Sequence, residues 1–140
     1  MTTITIDATG TIVGRMASHI AKQALLGHKV NVINSEKAII TGSKANVEEH
    51  YWKLHADIGQ QAYGPFIPKM PDRFVRRIIR GMLPRRKARG LEAFHRVMCY
   101  IGVPVDFANI KAEKLTWATQ PKTTKVQTIG DICKTLGWKG

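Results

Sequence analysis

Four arginines, Arg73, Arg76, Arg77 and Arg80, stand at i, i+3, i+4 and i+7, the spacing that lines one face of a helix. They belong to a denser run. Between Lys69 and Arg89 lie nine basic residues: Lys69, Arg73, Arg76, Arg77, Arg80, Arg85, Arg86, Lys87 and Arg89, with Asp72 the single acid. Seven of the nine are Arg, and the choice matters. A guanidinium fork pairs with phosphate through two hydrogen bonds and stacks on unpaired bases, which an ammonium does not. Like charges on one helix face repel each other, and a phosphate backbone relieves that repulsion. Phe74, Val75, Ile78, Ile79 and Met82 form an apolar stripe on the other side. One face can therefore dock on a core while the other presents guanidinium groups outward.

Other constellations do not assemble a chemistry. Gly10-Thr-Ile-Val-Gly14-Arg15 lies between a predicted strand and a predicted helix, where phosphate loops occur, but lacks the Gly-Lys-Ser/Thr ending and the third glycine of the dinucleotide fingerprint. Arg15 at the start of that helix could still meet an external phosphate. His50 and His55 are five apart, not the four that puts two metal ligands on one helix face, and no Cys-x-x-Cys pair exists. Glu48 and Glu49 are adjacent, so they diverge on a helix. Ser18 and His19 are neighbours in sequence, which makes no triad. No catalytic set, metal site, cofactor or small-molecule substrate is expected.

The whole chain carries 22 Lys and Arg against 10 Asp and Glu, a net charge of +12. Such a field attracts polyanions, and one-sided basic clustering is the electrostatic footprint of nucleic-acid binding. A membrane is a poor alternative, because no run approaches the ~20 apolar residues that span a bilayer, and MTTITIDATG does not look like a signal peptide. Cys99 and Cys133 are too few and too far apart for a secreted disulfide scaffold and read as buried apolar residues in a reducing cytoplasm. The 140 residues suit one domain, with a basic extension and loop region around 59–90.

The elements that must hold the arginines follow from periodicity. Thr3 to Asp7 alternates as a strand. Val13, Met16, Ala17, Ile20, Ala21, Ala24 and Leu25 recur as a helix that Gly27 ends. Val30, Val32 and Ile33 make a second strand, and Ala38 to Ile40 suggests a third. Strand, helix and strand together predict a parallel pair with a right-handed crossover. Lys44 to His55 reads as helix, with Val47, Tyr51 and Leu54 on one side. Gly59, Gln60, Gln61, Gly64, Pro65 and Pro68 mark a loop. Pro71 and Asp72 suit the first turn of the arginine helix, and Pro84 breaks it. A further helix is expected over Arg89 to Val97, with Leu91, Phe94, Val97 and Met98 on one face, then a strand over Met98 to Ile101. Val126 to Leu136 holds a short terminal helix.

The run Arg80-Gly-Met-Leu-Pro-Arg-Arg-Lys-Ala-Arg-Gly-Leu-Glu-Ala-Phe-His-Arg-Val-Met-Cys-Tyr-Ile-Gly102 resembles the diagnostic segment of the L-thirteen family of large-subunit ribosomal proteins. Gly10-Thr-Ile-Val-Gly-Arg-Met-Ala-Ser, Val32-Ile-Asn-Ser-Glu-Lys-Ala-Ile-Ile-Thr-Gly42 and Gly64-Pro-Phe match in order. Met70-Pro-Asp-Arg-Phe-Val-Arg-Arg-Ile-Ile-Arg is similar to the archaeal and eukaryotic branch. The likeness weakens after Pro104, where Val105-Asp-Phe replaces a proline-rich continuation. The resemblance implies a three-layer α/β/α fold with a central, mostly parallel four-stranded sheet. It further implies a cytoplasmic, structural protein that contacts large-subunit ribosomal RNA and neighbouring ribosomal proteins and supports subunit assembly. Its RNA-facing segment falls on Arg73 to Arg89. Arg15, Lys44, Lys53, Tyr63, Lys69 and Arg96 are further candidates for RNA contact. Two other readings stand beside it: a nucleotide-binding or RNA-modifying enzyme built on the N-terminal strand–loop–helix, and a DNA-binding regulator. The second would need side chains that read base edges, such as Asn or Gln, where the basic helix offers arginines.

Overall fold

A computed structural model describes residues 1–57, 59 and 62–140; the expected loop residues Gln60 and Gln61 lie outside the described residues. Strand β1 (Thr3–Asp7) leads through a turn, where Gly10 has φ +67°, into α1 (Val13–Leu25). This helix buries Val13, Met16, Ala17, Ile20, Ala21 and Ala24, the stripe its spacing predicts. Gly27, at φ +99°, ends it in a conformation glycine adopts without a Cβ penalty. Strand β2 (Lys29–Ile33) then pairs in parallel with β1, from Thr3 opposite Lys29 to Asp7 opposite Ile33.

The remaining elements are β3 (Ile39–Thr41), α2 (Lys44–Trp52), α3 (Pro71–Gly81), α4 (Ala88–His95), β4 (Val97–Cys99), β5 (Glu113–Lys114), β6 (Val126–Thr128) and α5 (Ile129–Thr135). The central sheet runs β4-β2-β1-β5, and each of its pairings is parallel. With its helices it forms the expected three-layer α/β fold. The short run after Ala38 is a strand, but not of this sheet: β3 pairs antiparallel with β6 in a separate ribbon. Hydroxyl side chains cap two helices, Ser43 accepting from the Asn46 N–H and Thr128 from the Asp131 N–H, which satisfies donors left open at a helix start. After Trp52 the α2 helix widens into a π-helical turn over Lys53–Asp57.

Helix α3 is what places the arginines. Pro71 sits in its first turn, where a missing N–H is harmless. Phe74, Val75 and Ile79 are buried as α3 packs against α1, β4 and α5. The apolar stripe is narrower than expected, because Met82 lies past the last turn and is 43% exposed. The next helix also departs from expectation. It stops at His95, and its buried residues are Gly90 and Ala93, while Leu91 is exposed. A Cβ at Gly90 would collide with the Pro84 carbonyl, so the face that docks is the one with the smallest residues. From Val97 the period changes from 3.6 to 2: Val97 and Cys99 point inward and Met98 outward. That change separates Met98 from the face on which helical spacing puts it.

Candidate nucleic-acid interface

The arginines of α3 do not behave alike. Arg73 is exposed, whereas Arg76, Arg77 and Arg80 are half-buried. The Arg76 Nε–H donates to the Val97 carbonyl at 3.0 Å, and its guanidinium carbon lies 4.3 Å from the centroid of the Phe94 ring. A hydrogen bond and a cation–π contact therefore fix this side chain. Arg77 is the opposite case: its Nε is buried and has no hydrogen-bond partner. Burial, together with the charges of Arg85 and Arg77, lowers the pKa of Arg80 from its ordinary value. So crowded a set of cations calls for an anion.

The turn after α3 extends the surface. Leu83 is buried, and the Gly90–Pro84 approach holds the turn against α4. Arg85, Arg86 and Lys87 between them are exposed. A cleft of about 750 Å³ is lined by Pro65, Phe66, Pro68, Arg73, Arg76, Arg77, Arg80, Arg85 and Phe94. It adjoins a hollow of about 650 Å³ whose walls include Arg77, Arg80, Arg85, Arg86 and Lys87. The ion pairs among the described residues are Lys44–Glu48, Lys53–Glu49 and Arg96–Glu92, so no carboxylate there neutralises the cleft.

Of the fourteen sequence candidates, the fold brings Arg73, Arg76, Arg77, Arg80, Arg85, Arg86 and Lys87 together. Arg89 faces a different groove, beside Lys22 and Met82. Lys44 and Lys53 pair along their own helical segment with Glu48 and Glu49. Tyr63 is 84% exposed. Lys69 is exposed and lies against Gly137, just past the last helix. Arg96 is committed internally: one terminal nitrogen donates to the Ala24 carbonyl at 3.2 Å and the other reaches Glu92, tying the end of α4 to the end of α1. Sequence reasoning missed Phe66, which is 68% exposed on the cleft wall. Its signals were an aromatic residue within a proline-rich loop and its place in the Gly64-Pro-Phe match.

Arg15 belongs to a separate arrangement at the start of α1. The Ile12 N–H donates to the Ala118 carbonyl at 2.9 Å, and Arg15 donates to the Gln120 carbonyl at 3.1 Å. His19 meets the edge of Trp117, 5.9 Å between centroids. The chain's own segment around 117–120 thus lies against the start of α1. The N-cap N–H and the Arg15 guanidinium are thereby already engaged within the chain. No group of three metal-ligating side chains occurs among the described residues, nor is any helix there long and apolar enough to cross a membrane.

The fold is thus a parallel α/β sheet that carries one arginine-lined surface. The family model described as Ribosomal protein L13 matches residues 1–106. The chain is 40% identical to the large ribosomal subunit protein uL13 of Methanococcoides burtonii, over 96% of this chain and 97% of that one. The corresponding proteins of Methanopyrus kandleri and Haloarcula marismortui are 42% and 43% identical, each over 96% of this chain and over 86% and 90% of their own lengths. This chain belongs to the ribosomal protein L13 family and resembles its archaeal members. Its role is that of a structural ribosomal component.

Proposed function

We propose that this protein binds large-subunit ribosomal RNA through the outer face of α3 and the Arg85–Lys87 turn, with Arg89 at the start of α4 beyond it, and that it supports assembly of the large subunit beside neighbouring ribosomal proteins in the cytoplasm. Residues 1–140 act as one domain with a basic region around 59–90. The observation that carries this reading is the set of arginines around one cleft, held by a helix whose inner face is buried and, among the described residues, without an ion pair to a carboxylate. Lys and Arg that neutralise phosphates release counterions. They pin RNA segments by shape and backbone rather than by base sequence.

The test is a salt titration of binding to a fragment of large-subunit ribosomal RNA. Affinity should fall with log salt by a slope of about 0.7–0.9 per phosphate neutralised. Arg73→Glu, Arg80→Glu and Arg86→Glu together should flatten that slope while the thermal unfolding curve stays in place. Arg76 is left intact because it also holds the fold. An unchanged slope would move the interface elsewhere, and failure to co-sediment with large subunits would remove the ribosomal RNA reading altogether.

A further inference from the structure

We propose that the cleft between the 65–68 loop and α3 receives a single unpaired nucleotide of RNA, its base stacked on Phe66 and its phosphate held by Arg77 and Arg80. This rests on the RNA-binding reading above and narrows it from a charged face to a built pocket.

Three observations converge on it. Phe66 keeps a large apolar ring 68% exposed in a cleft otherwise lined by arginines, two prolines and the Phe94 ring that Arg76 covers. Pro65 and Pro68 restrict the backbone that carries it, so the ring is presented to the cleft at small entropic cost. Aromatic rings of this kind are the platforms on which unpaired bases stack. The second observation is the buried Nε of Arg77, which has no acceptor. A donor removed from water without a partner is costly to the protein alone, and a rotation of the Arg77 side chain toward a phosphate in the cleft would give it an acceptor. The third is Arg76. Fixed by the Val97 carbonyl and the Phe94 ring, it holds its charge on the cleft wall without needing to be ordered on binding.

Size decides between paired and unpaired RNA. An open cleft of about 750 Å³ is in the size range of sites for a small organic ligand, roughly 300–1,000 Å³; a single nucleotide fits within it, whereas a duplex would lie across its mouth. Within a duplex the face of each base is already stacked on its neighbours. Only a bulged, looped or terminal nucleotide offers a free base face together with its phosphate. An anion alone would use the arginines and leave Phe66 unexplained.

The experiment compares two RNA hairpins with the same stem, one carrying a single-nucleotide bulge with 2-aminopurine at that position, the other fully paired. With the full chain, the bulged hairpin should bind about tenfold tighter, in line with base–aromatic stacking, and its 2-aminopurine fluorescence should change. Phe66→Ala should abolish that advantage without altering affinity for the paired hairpin or the unfolding temperature, and Phe66→Tyr should retain it. Arg77→Lys keeps the charge but removes the Nε–H, so it should weaken the bulged complex more than the paired one. If both hairpins bind the wild-type chain equally, the nucleotide pocket is wrong and the charged RNA face stands. If neither binds, both fall.

Discussion

The guanidinium of Arg76 lies 4.3 Å from the centroid of the Phe94 ring, so one arginine of the basic helix is turned toward the protein and joins α3 to α4. It reports on stability as much as on binding. Arg76→Ala removes the cation–π contact and leaves the Val97 carbonyl without its side-chain donor. It should lower unfolding free energy by about 1–2 kcal/mol in a urea titration. Arg73→Ala, whose side chain is exposed, should move it by less than about 0.5 kcal/mol. Equal effects would show that the Arg76 contacts carry no stability.

Two glycines should respond to alanine with opposite signs. At Gly90 an added Cβ meets the Pro84 carbonyl, with the Arg85 nitrogen 3.1 Å away. These are backbone atoms that cannot swing aside, so Gly90→Ala should destabilise the fold by about 1–3 kcal/mol and weaken RNA binding by displacing Arg85. At Gly14, inside α1, nothing lies within 4 Å of the added carbon. Gly14→Ala should stabilise by about 0.5–1 kcal/mol. Thermal unfolding of the two variants checks both.

Asp7 and Asn34 close the end of β1 onto β2. Asn34 adopts φ 54°, and its side-chain amide donates to Asp7 Oδ1 at 3.0 Å, an oxygen that also accepts from the Thr9 N–H and hydroxyl. Burial raises the Asp7 pKa. The hydrogen bonds from Asn34 and Thr9, aided by the Lys114 charge, outweigh it and bring the carboxyl below its ordinary 3.8. A depressed carboxylate pKa adds stability above the ordinary value that is lost as pH falls through it. Asp7→Asn should therefore lower stability at pH 6 and flatten its decline between pH 5 and about 3. Unfolding titrations at these pH values decide it.

Burial pushes the thiols of Cys99 and Cys133 up to about 12, against an ordinary 9.0. Arg76 pulls the Cys99 thiol back down, while Asp72 adds to the rise at both cysteines. A thiol-specific disulfide reagent at pH 8 should leave both untouched in the folded chain and label both in denaturant, because the thiolate is the reactive species. The sign at high pH is fixed by the same shift. Above about pH 9 the unfolded chain loses these protons and the folded chain retains them, so stability falls as pH rises toward 12. Replacing both by Ala should make the alkaline decline shallower than in the parent, as read from paired denaturant titrations.

Much of the fold was legible because its periodicities are local. The spacing from Val13 to Leu25, the alternation from Thr3 to Asp7 and the Pro71-Asp72 start of the basic helix each read directly as the element they form. The central sheet's fourth member was not legible. β5 has two residues, Glu113 and Lys114, too few for any period to show, and its pairing with Ile6 and Asp7 joins residues a hundred positions apart.

The sequence by itself determined that this protein is strongly basic, that four of its arginines share one face of one helix, and that the helix is anchored by an apolar stripe. Those are matters of composition and of a 3.6-residue period, which every stretch carries within itself. Only the tertiary structure decided which arginines are free. Val97 lies 21 residues beyond Arg76, and no local pattern foretells that its carbonyl and the Phe94 ring will claim that guanidinium. Nor could spacing place Phe66 across a cleft from Arg80. Such partners are set by how loops and helices pack on the sheet, and packing is a property of the whole chain.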